Sequence, residues 1–160
     1  MDDVEVPLDA QGEVAEQFLT GLLAAFGATG SVSVRTVDED TIELMVAGED
    51  LSTLIGPKGS TLASVQELTR TVVQRKTSAR NGRILVDVAG YRARRREALS
   101  AFTHKVAEQV ISSGVAKALE PMTPADRKVV HDTVNDIAGV RTISQGEEPR
   151  RRVVIQPDNA

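Results

Sequence analysis

The stretch "LSTLIGPKGSTLASVQEL", from Leu51, breaks an apolar run with Gly56-Pro57-Lys58-Gly59 and then resumes it. Glycines at both ends of such a loop let a ligand approach the backbone with no Cβ in the way. A helix resuming after the loop would present unbonded N–H groups and the positive end of its dipole, so phosphate suits the place. Lys58 adds a mobile cation at the tip. The spacing is not that of a P-loop, which needs G-x-x-x-x-G-K-[ST] after a strand. Taken alone, the four residues read first as a plain turn between two helices, and only their surroundings favour a ligand.

A second constellation lies in "DRKVVHDTV". Arg127 and His131 are four apart, so on a helix they share one face, opposite Val130 and Val134. That face is expected to be exposed. A guanidinium beside an imidazole suits phosphate binding and base stacking, although an isolated pair at this spacing is more often a merely solvated face.

The distribution of charge strengthens both sites. Residues 1–50 carry 12 Asp/Glu and one Arg, whereas residues 51–160 carry 18 Lys/Arg and 11 Asp/Glu. Between Ile55 and Arg96, ten cations stand against only Glu67 and Asp87. A polyanion is the natural partner of such a segment. Arg70, Arg75, Arg92, Arg95 and Lys128 are the basic residues expected to support the contact. Arg92, Arg94, Arg95 and Arg96 are read as a cluster in which at least one faces solvent or pairs with Glu97 or Glu120. Arg150, Arg151 and Arg152 sit on an expected strand, where alternation keeps all three from one ligand face. Glu147 and Glu148 read as decoration of the turn before them.

The elements that must position these residues follow from periodicity. Val14, Phe18, Leu19, Leu22, Leu23 and Phe26 form a helical stripe over 11–26, ended by Gly27 or Gly30. "SVSVRTV" and "TIELMV" alternate as a pair of strands around Asp38-Glu39-Asp40. Leu62, Val65, Leu68, Val72 and Val73 predict a helix after the loop, followed by a turn at Asn81-Gly82 and a strand with Ile84, Val86 and Val88 on one face. A long helix from Tyr91 to Gly114 is expected to bury Ala98, Phe102, Val106 and Val110. Thr123 as N-cap, Pro124 at the first helical position and Asp126 in the first turn mark a further helix start. Val130, Val134, Ile137 and Ala138 form its expected buried face, and Gly139 its expected end. "VRTIS" and "RRVVI" then read as a hairpin. The fold class is α+β, two small α/β units in tandem: an acidic tail 1–10, a unit 11–90, a unit 91–156 opened by the long connecting helix, and a tail 157–160.

The order helix, strand, strand, short helix, GxxG, helix, strand resembles the type II KH domain, whose GxxG loop clamps the backbone of about four nucleotides. Here Pro57 offers neither N–H nor charge, one donor fewer than Lys or Arg would give. Arg-x-x-x-His on a capped helix before a hairpin resembles the single-stranded nucleic-acid-binding module named for those two residues. The tandem resembles the bacterial Jag family, also called KhpB or SpoIIIJ-associated protein, through "LIGPKGSTLASVQELT", "VDVAGYRARRREAL", "LEPMTPADRKVVH" and "VRTISQGEEPRRRVVI". Many members begin with a further N-terminal Jag domain, which this sequence is expected to lack. The resemblance implies single-stranded RNA binding through Gly56, Pro57, Lys58, Gly59, Arg127 and His131. It also implies post-transcriptional regulation tied to cell division or envelope growth, and a small KH-domain protein as partner. Single-stranded DNA remains an alternative ligand, and an adaptor at the ribosome or membrane protein insertase an alternative role.

Other classes find little support. The chain has no Cys and two separated His, which leaves no basis for thiol chemistry, disulfides or a zinc site, so no metal or cofactor is expected. No paired-acid or triad arrangement suggests an enzyme. With three Phe, one Tyr and no Trp, the stacking platform of an RRM or OB-fold is missing. No apolar run approaches the ~20 residues that cross a bilayer, and the acidic start does not read as a signal peptide, so the expected location is the cytoplasm.

Overall fold

The computed structural model describes residues 6–77 and 82–158. The expected turn residue Asn81 lies outside them. The chain divides into two compact units, with the boundary between Arg92 and Ala93.

The first unit runs α1 (Leu8–Ala25), β1 (Gly30–Asp38), β2 (Thr41–Gly48), α2 (Ser52–Ile55), a 3-10 turn (Pro57–Gly59), α3 (Ser60–Thr77) and β3 (Arg83–Val88). Helix α1 starts earlier than the expected Gln11, because Pro7 caps it and its carbonyl accepts the Gln11 N–H at 3.1 Å. Gly27, at φ +66°, rather than Gly30, turns the chain out of α1. The β1–β2 turn is closed by Asp38, whose carboxylate accepts the Asp40 N–H at 2.9 Å. That hydrogen bond, aided by the Thr41 hydroxyl, holds the Asp38 pKa below its ordinary value.

The sheet order is β1-β2-β3, with β1 antiparallel and β3 parallel to β2. A parallel neighbour demands a long crossover, and α2, the turn and α3 supply it. The register sets Ile42 beside Ile84, Leu44 beside Val86 and Val46 beside Val88. Period two sends these rows to one face, where Ala15, Leu19 and Leu23 of α1 and Leu62, Val65 and Val73 of α3 cover them. Three residues of the expected stripes are outside the core: Phe26 follows the end of α1, Leu68 is 53% exposed, and Val72 is half-buried beside it. Thr69 takes the inward position instead. Its hydroxyl donates to the Val65 carbonyl at 2.7 Å, so it is buried with its polar atom satisfied.

The second unit contains most of α4 (Tyr91–Ser113), then β4 (Lys117–Ala118), α5 (Pro124–Asn135), β5 (Val140–Gln145) and β6 (Arg152–Pro157). Its sheet has the order β4-β6-β5, antiparallel throughout. The two-residue strand β4 was beyond the reach of periodicity. Leu99, Val106, Ala107 and Val110 of α4 meet Val130, Val134, Val140, Val153 and Ile155 in the core. Ala98 and Phe102 are exposed, contrary to expectation, and the stripe passes through Leu99 and Thr103. Thr103 donates to the Leu99 carbonyl at 2.7 Å, which makes its burial inexpensive. Helix α5 ends at Asn135, short of Gly139, leaving Ile137 half-buried and Ala138 exposed in the turn that follows. Among the described residues, no helix is long and apolar enough to cross a membrane.

Candidate functional site

The loop at Gly56 has a conformation that its sequence requires. Gly56 sits at φ 70°, ψ 178°, a region essentially restricted to glycine, and Lys58 is left-handed at φ 54°, ψ 25°. A Cβ on Gly56 would lie 2.2 Å from the Thr61 hydroxyl, and one on Gly59 would lie 2.6 Å from the Tyr91 ring. Tyr91 therefore packs directly on the loop. The backbone is also partly self-satisfied: the Gly59 N–H donates to the Gly56 carbonyl at 3.2 Å, and the Ser60 N–H to the Pro57 carbonyl. Those two amides are engaged within the loop, and the Lys58 side chain is exposed. Gly56→Ala is expected to cost about 2 kcal/mol from the forced backbone alone. Urea unfolding measures this, and a variant of undiminished stability would contradict the loop geometry.

Of the supporting cations in this unit, Arg70 pairs with Glu67 at 2.7 Å on the exposed side of α3. Arg75 is exposed near the end of the same helix. Arg92 is committed to structure. Its Nε and Nη2 donate to the Val86 carbonyl at 3.1 and 3.0 Å, and Nη2 also donates to Gln66 Oε1 at 2.7 Å. It thereby ties the end of β3 to α3.

In the second unit, Thr123 accepts the Asp126 N–H at 3.2 Å and Pro124 occupies the first turn of α5, the start read from the sequence. Asp126 binds Arg95 at 2.9 Å, so this ion pair of Arg95 involves neither Glu97 nor Glu120. Beyond this cap, a concavity of about 340 Å³ is lined by Pro124, Arg127, Lys128, His131, Ser144, Glu148 and Arg151. It brings Arg127, Lys128 and His131 together and leaves Arg95 out.

Arg127 is not on an exposed face: it is only 8% exposed. Its Nη1 donates to the Met122 carbonyl at 2.7 Å, and Nη2 pairs with Glu148. These partners draw the side chain back along the helix start, which explains its burial. Glu148 is thus an ion-pair partner reaching from the hairpin turn rather than decoration. His131 is half-buried, with Nδ1 2.6 Å from Thr142 Oγ1 and Nε2 2.9 Å from Ser144 Oγ. A neutral imidazole needs one donor and one acceptor, and hydroxyls can serve as either. The ring is consequently fixed by both edges. Lys128 pairs with Asp132 at the rim.

Sequence reasoning missed Tyr91, Thr142, Ser144 and Glu148. A signal existed for the hydroxyls: Thr142 and Ser144 share the strand face of the inward Val140, so period two already pointed two polar residues toward α5. Nothing in the sequence marked Glu148 over Glu147. Among the described residues, no three His, Asp or Glu side chains gather as a metal site would require.

The family model of the Arg-xxx-His domain matches residues 97–157, which include the whole concavity. The chain is 32% identical over 143 residues to the RNA-binding protein KhpB of Bacillus subtilis (strain 168), covering 88% of this chain and 68% of that protein. It is 34% identical over 142 residues to the protein of the same name from Clostridium symbiosum, covering 88% of this chain and 64% of that one. The match to the namesake from Streptococcus pneumoniae serotype 2 (strain D39 / NCTC 7466) is 28% over 118 residues, only 36% of that protein's length. The chain therefore spans about two thirds of the first two relatives. With a capped Arg-x-x-x-His helix set against a hairpin, and this degree of identity across both units, the chain belongs to the KhpB family.

Proposed function

We propose that this chain binds single-stranded RNA through both units and acts as a post-transcriptional regulator in the cytoplasm. The observation that carries the reading is the second-unit concavity, where Arg127, Lys128 and Arg151 converge beside a fixed imidazole and Glu148 lies on the Arg127 guanidinium. A carboxylate in that place is a stand-in for a phosphate: both present paired anionic oxygens that a guanidinium grips with parallel N–H groups. The edges of His131 are occupied, which leaves its ring face for a base. The relatives' name supports RNA as the ligand, and no enzymatic step is proposed.

In the first unit, the proposal is a type II KH-like module, with Gly56, Pro57, Lys58 and Gly59 closing on the sugar-phosphate backbone. The inward-turned amides make Lys58 the principal donor there. Arg70 and Arg75 extend the basic surface, while Arg92 acts by holding β3 and α3 in place. A role tied to cell division or envelope growth, and a small KH-domain protein partner, come with the family resemblance. Cross-linking in the native cell, with sequencing of bound RNA, tests that wider role.

Two experiments test the binding itself. RNA and DNA oligonucleotides of one sequence, competed against each other, should favour RNA; equal competition would move the reading to single strands of either sugar. Glu148→Gln removes the competing carboxylate while keeping an acceptor for Arg127. It is expected to tighten RNA binding by about threefold to tenfold in a fluorescence titration. Weaker or unchanged binding would show that the phosphate goes elsewhere.

A further inference from the structure

Within the second unit, α4 and α5 pack on one face of the sheet. Thr142, Ser144, Val153 and Ile155 point toward α4 and α5, so the alternate residues of β5 and β6 form the other face. There the register makes three cross-strand pairs: Arg141 with Gln156, Ile143 with Val154, and Gln145 with Arg152. The pattern is nearly symmetric, a guanidinium and an amide at each end of an aliphatic centre. Ile143 is 43% exposed, and both arginines are exposed.

Like Arg92, which donates to Gln66, these two arginines bind an amide oxygen rather than a carboxylate. Arg35, Arg70, Arg95, Arg127 and Lys128 are each paired with a carboxylate. Arg152 instead donates to Gln145 Oε1 at 3.2 Å. Arg141 donates through Nη2 and Nε to the Gln156 amide oxygen at 2.9 and 2.8 Å, with that amide turned to accept. An amide orients a guanidinium without cancelling its charge. None of the six residues is acidic. Two cations are thus held over the sheet, four strand positions apart, or about 13 Å.

We infer that this other face is a second RNA-contacting surface of the unit, separate from the His131 concavity, with Arg141 and Arg152 on phosphates and the Ile143–Val154 centre under a base. A planar guanidinium with N–H groups remaining beyond its amide bond suits phosphate. The exposed Ile143 beside the half-buried Val154 suits the face of a base better than it suits water. The inference rests on the proposal that the chain binds single-stranded RNA.

The test compares the full chain with Arg141→Gln/Arg152→Gln, titrated with a labelled single-stranded RNA long enough to reach both faces. Thermal melting checks that these surface changes leave the fold intact. The double variant should bind about tenfold more weakly, with a salt dependence shallower by about 1.4 in log–log slope, roughly 0.7 for each phosphate no longer neutralised. Arg141→Lys/Arg152→Lys should keep the slope and lose part of the affinity. If the parent binds RNA and the glutamine variant matches it in affinity and slope, the second surface is wrong and the face is left to another partner. If the parent binds no RNA, the reading beneath it fails as well.

Discussion

Lys58→Asp is expected to lower affinity for single-stranded RNA by about tenfold or more, because an attraction to phosphate is replaced by a repulsion in the same place. The thermal midpoint should barely move. Lys58 is exposed, makes no part of either core, and occupies a left-handed position at φ 54° that aspartate tolerates better than most residues. Thermal melting beside the titration separates a loss of binding from a loss of fold at this residue. A variant that binds as the parent does would leave Gly56–Gly59 as a turn between helices. One that unfolds would show that the loop cation serves the fold.

Arg127→Ala should behave in the opposite manner and lose both. The guanidinium is buried, and its removal leaves the Met122 carbonyl without that hydrogen bond and the Glu148 carboxylate without its cation. Leaving the half-buried Met122 carbonyl unsatisfied costs up to about 2 kcal/mol, while the half-exposed Glu148 adds little because water screens it. We expect a stability loss of about 2 kcal/mol in urea unfolding, together with RNA affinity reduced by at least about tenfold when measured well below the variant's midpoint. Arg127→Lys sharpens the comparison. It keeps the charge but lacks the fork that reaches Met122 and Glu148 at once, so it should recover less than the charge alone suggests. Full recovery by lysine would mean that the site reads charge and not geometry.

These two residues also show what the sequence could and could not disclose. The setting of Lys58 was legible because it is local: a glycine-framed loop, apolar anchors at Leu54 and Leu62, and a helix resuming at Ser60. The start of α5 was legible for the same reason, since Thr123, Pro124 and Asp126 are a cap written in neighbouring residues. The burial of Arg127 was not. It depends on Glu148, brought close by a hairpin whose turn geometry no periodicity encodes, and on a carbonyl five residues back.

The stripes failed where a threonine replaced a larger residue. Leu68 and Phe102 look like core by hydrophobicity, yet Thr69 and Thr103 are buried beside them because each hydroxyl bonds to the carbonyl four residues earlier. Counting apolar residues rewards bulk and overlooks that local satisfaction. The fate of Arg92 and Arg95 was hidden for a related reason. A basic run announces charge, but which cations are committed to Val86, Gln66 and Asp126 is decided only by packing.

Whether both units hold RNA is decided most directly by one titration. Labelled single-stranded RNA is titrated over a salt series with the parent, with Lys58→Asp, and with the Arg127→Ala/His131→Ala pair. Parent affinity should fall steeply with salt, and each variant should bind more weakly with a flatter salt dependence. Unchanged affinity in both variants would contradict RNA binding through these two sites.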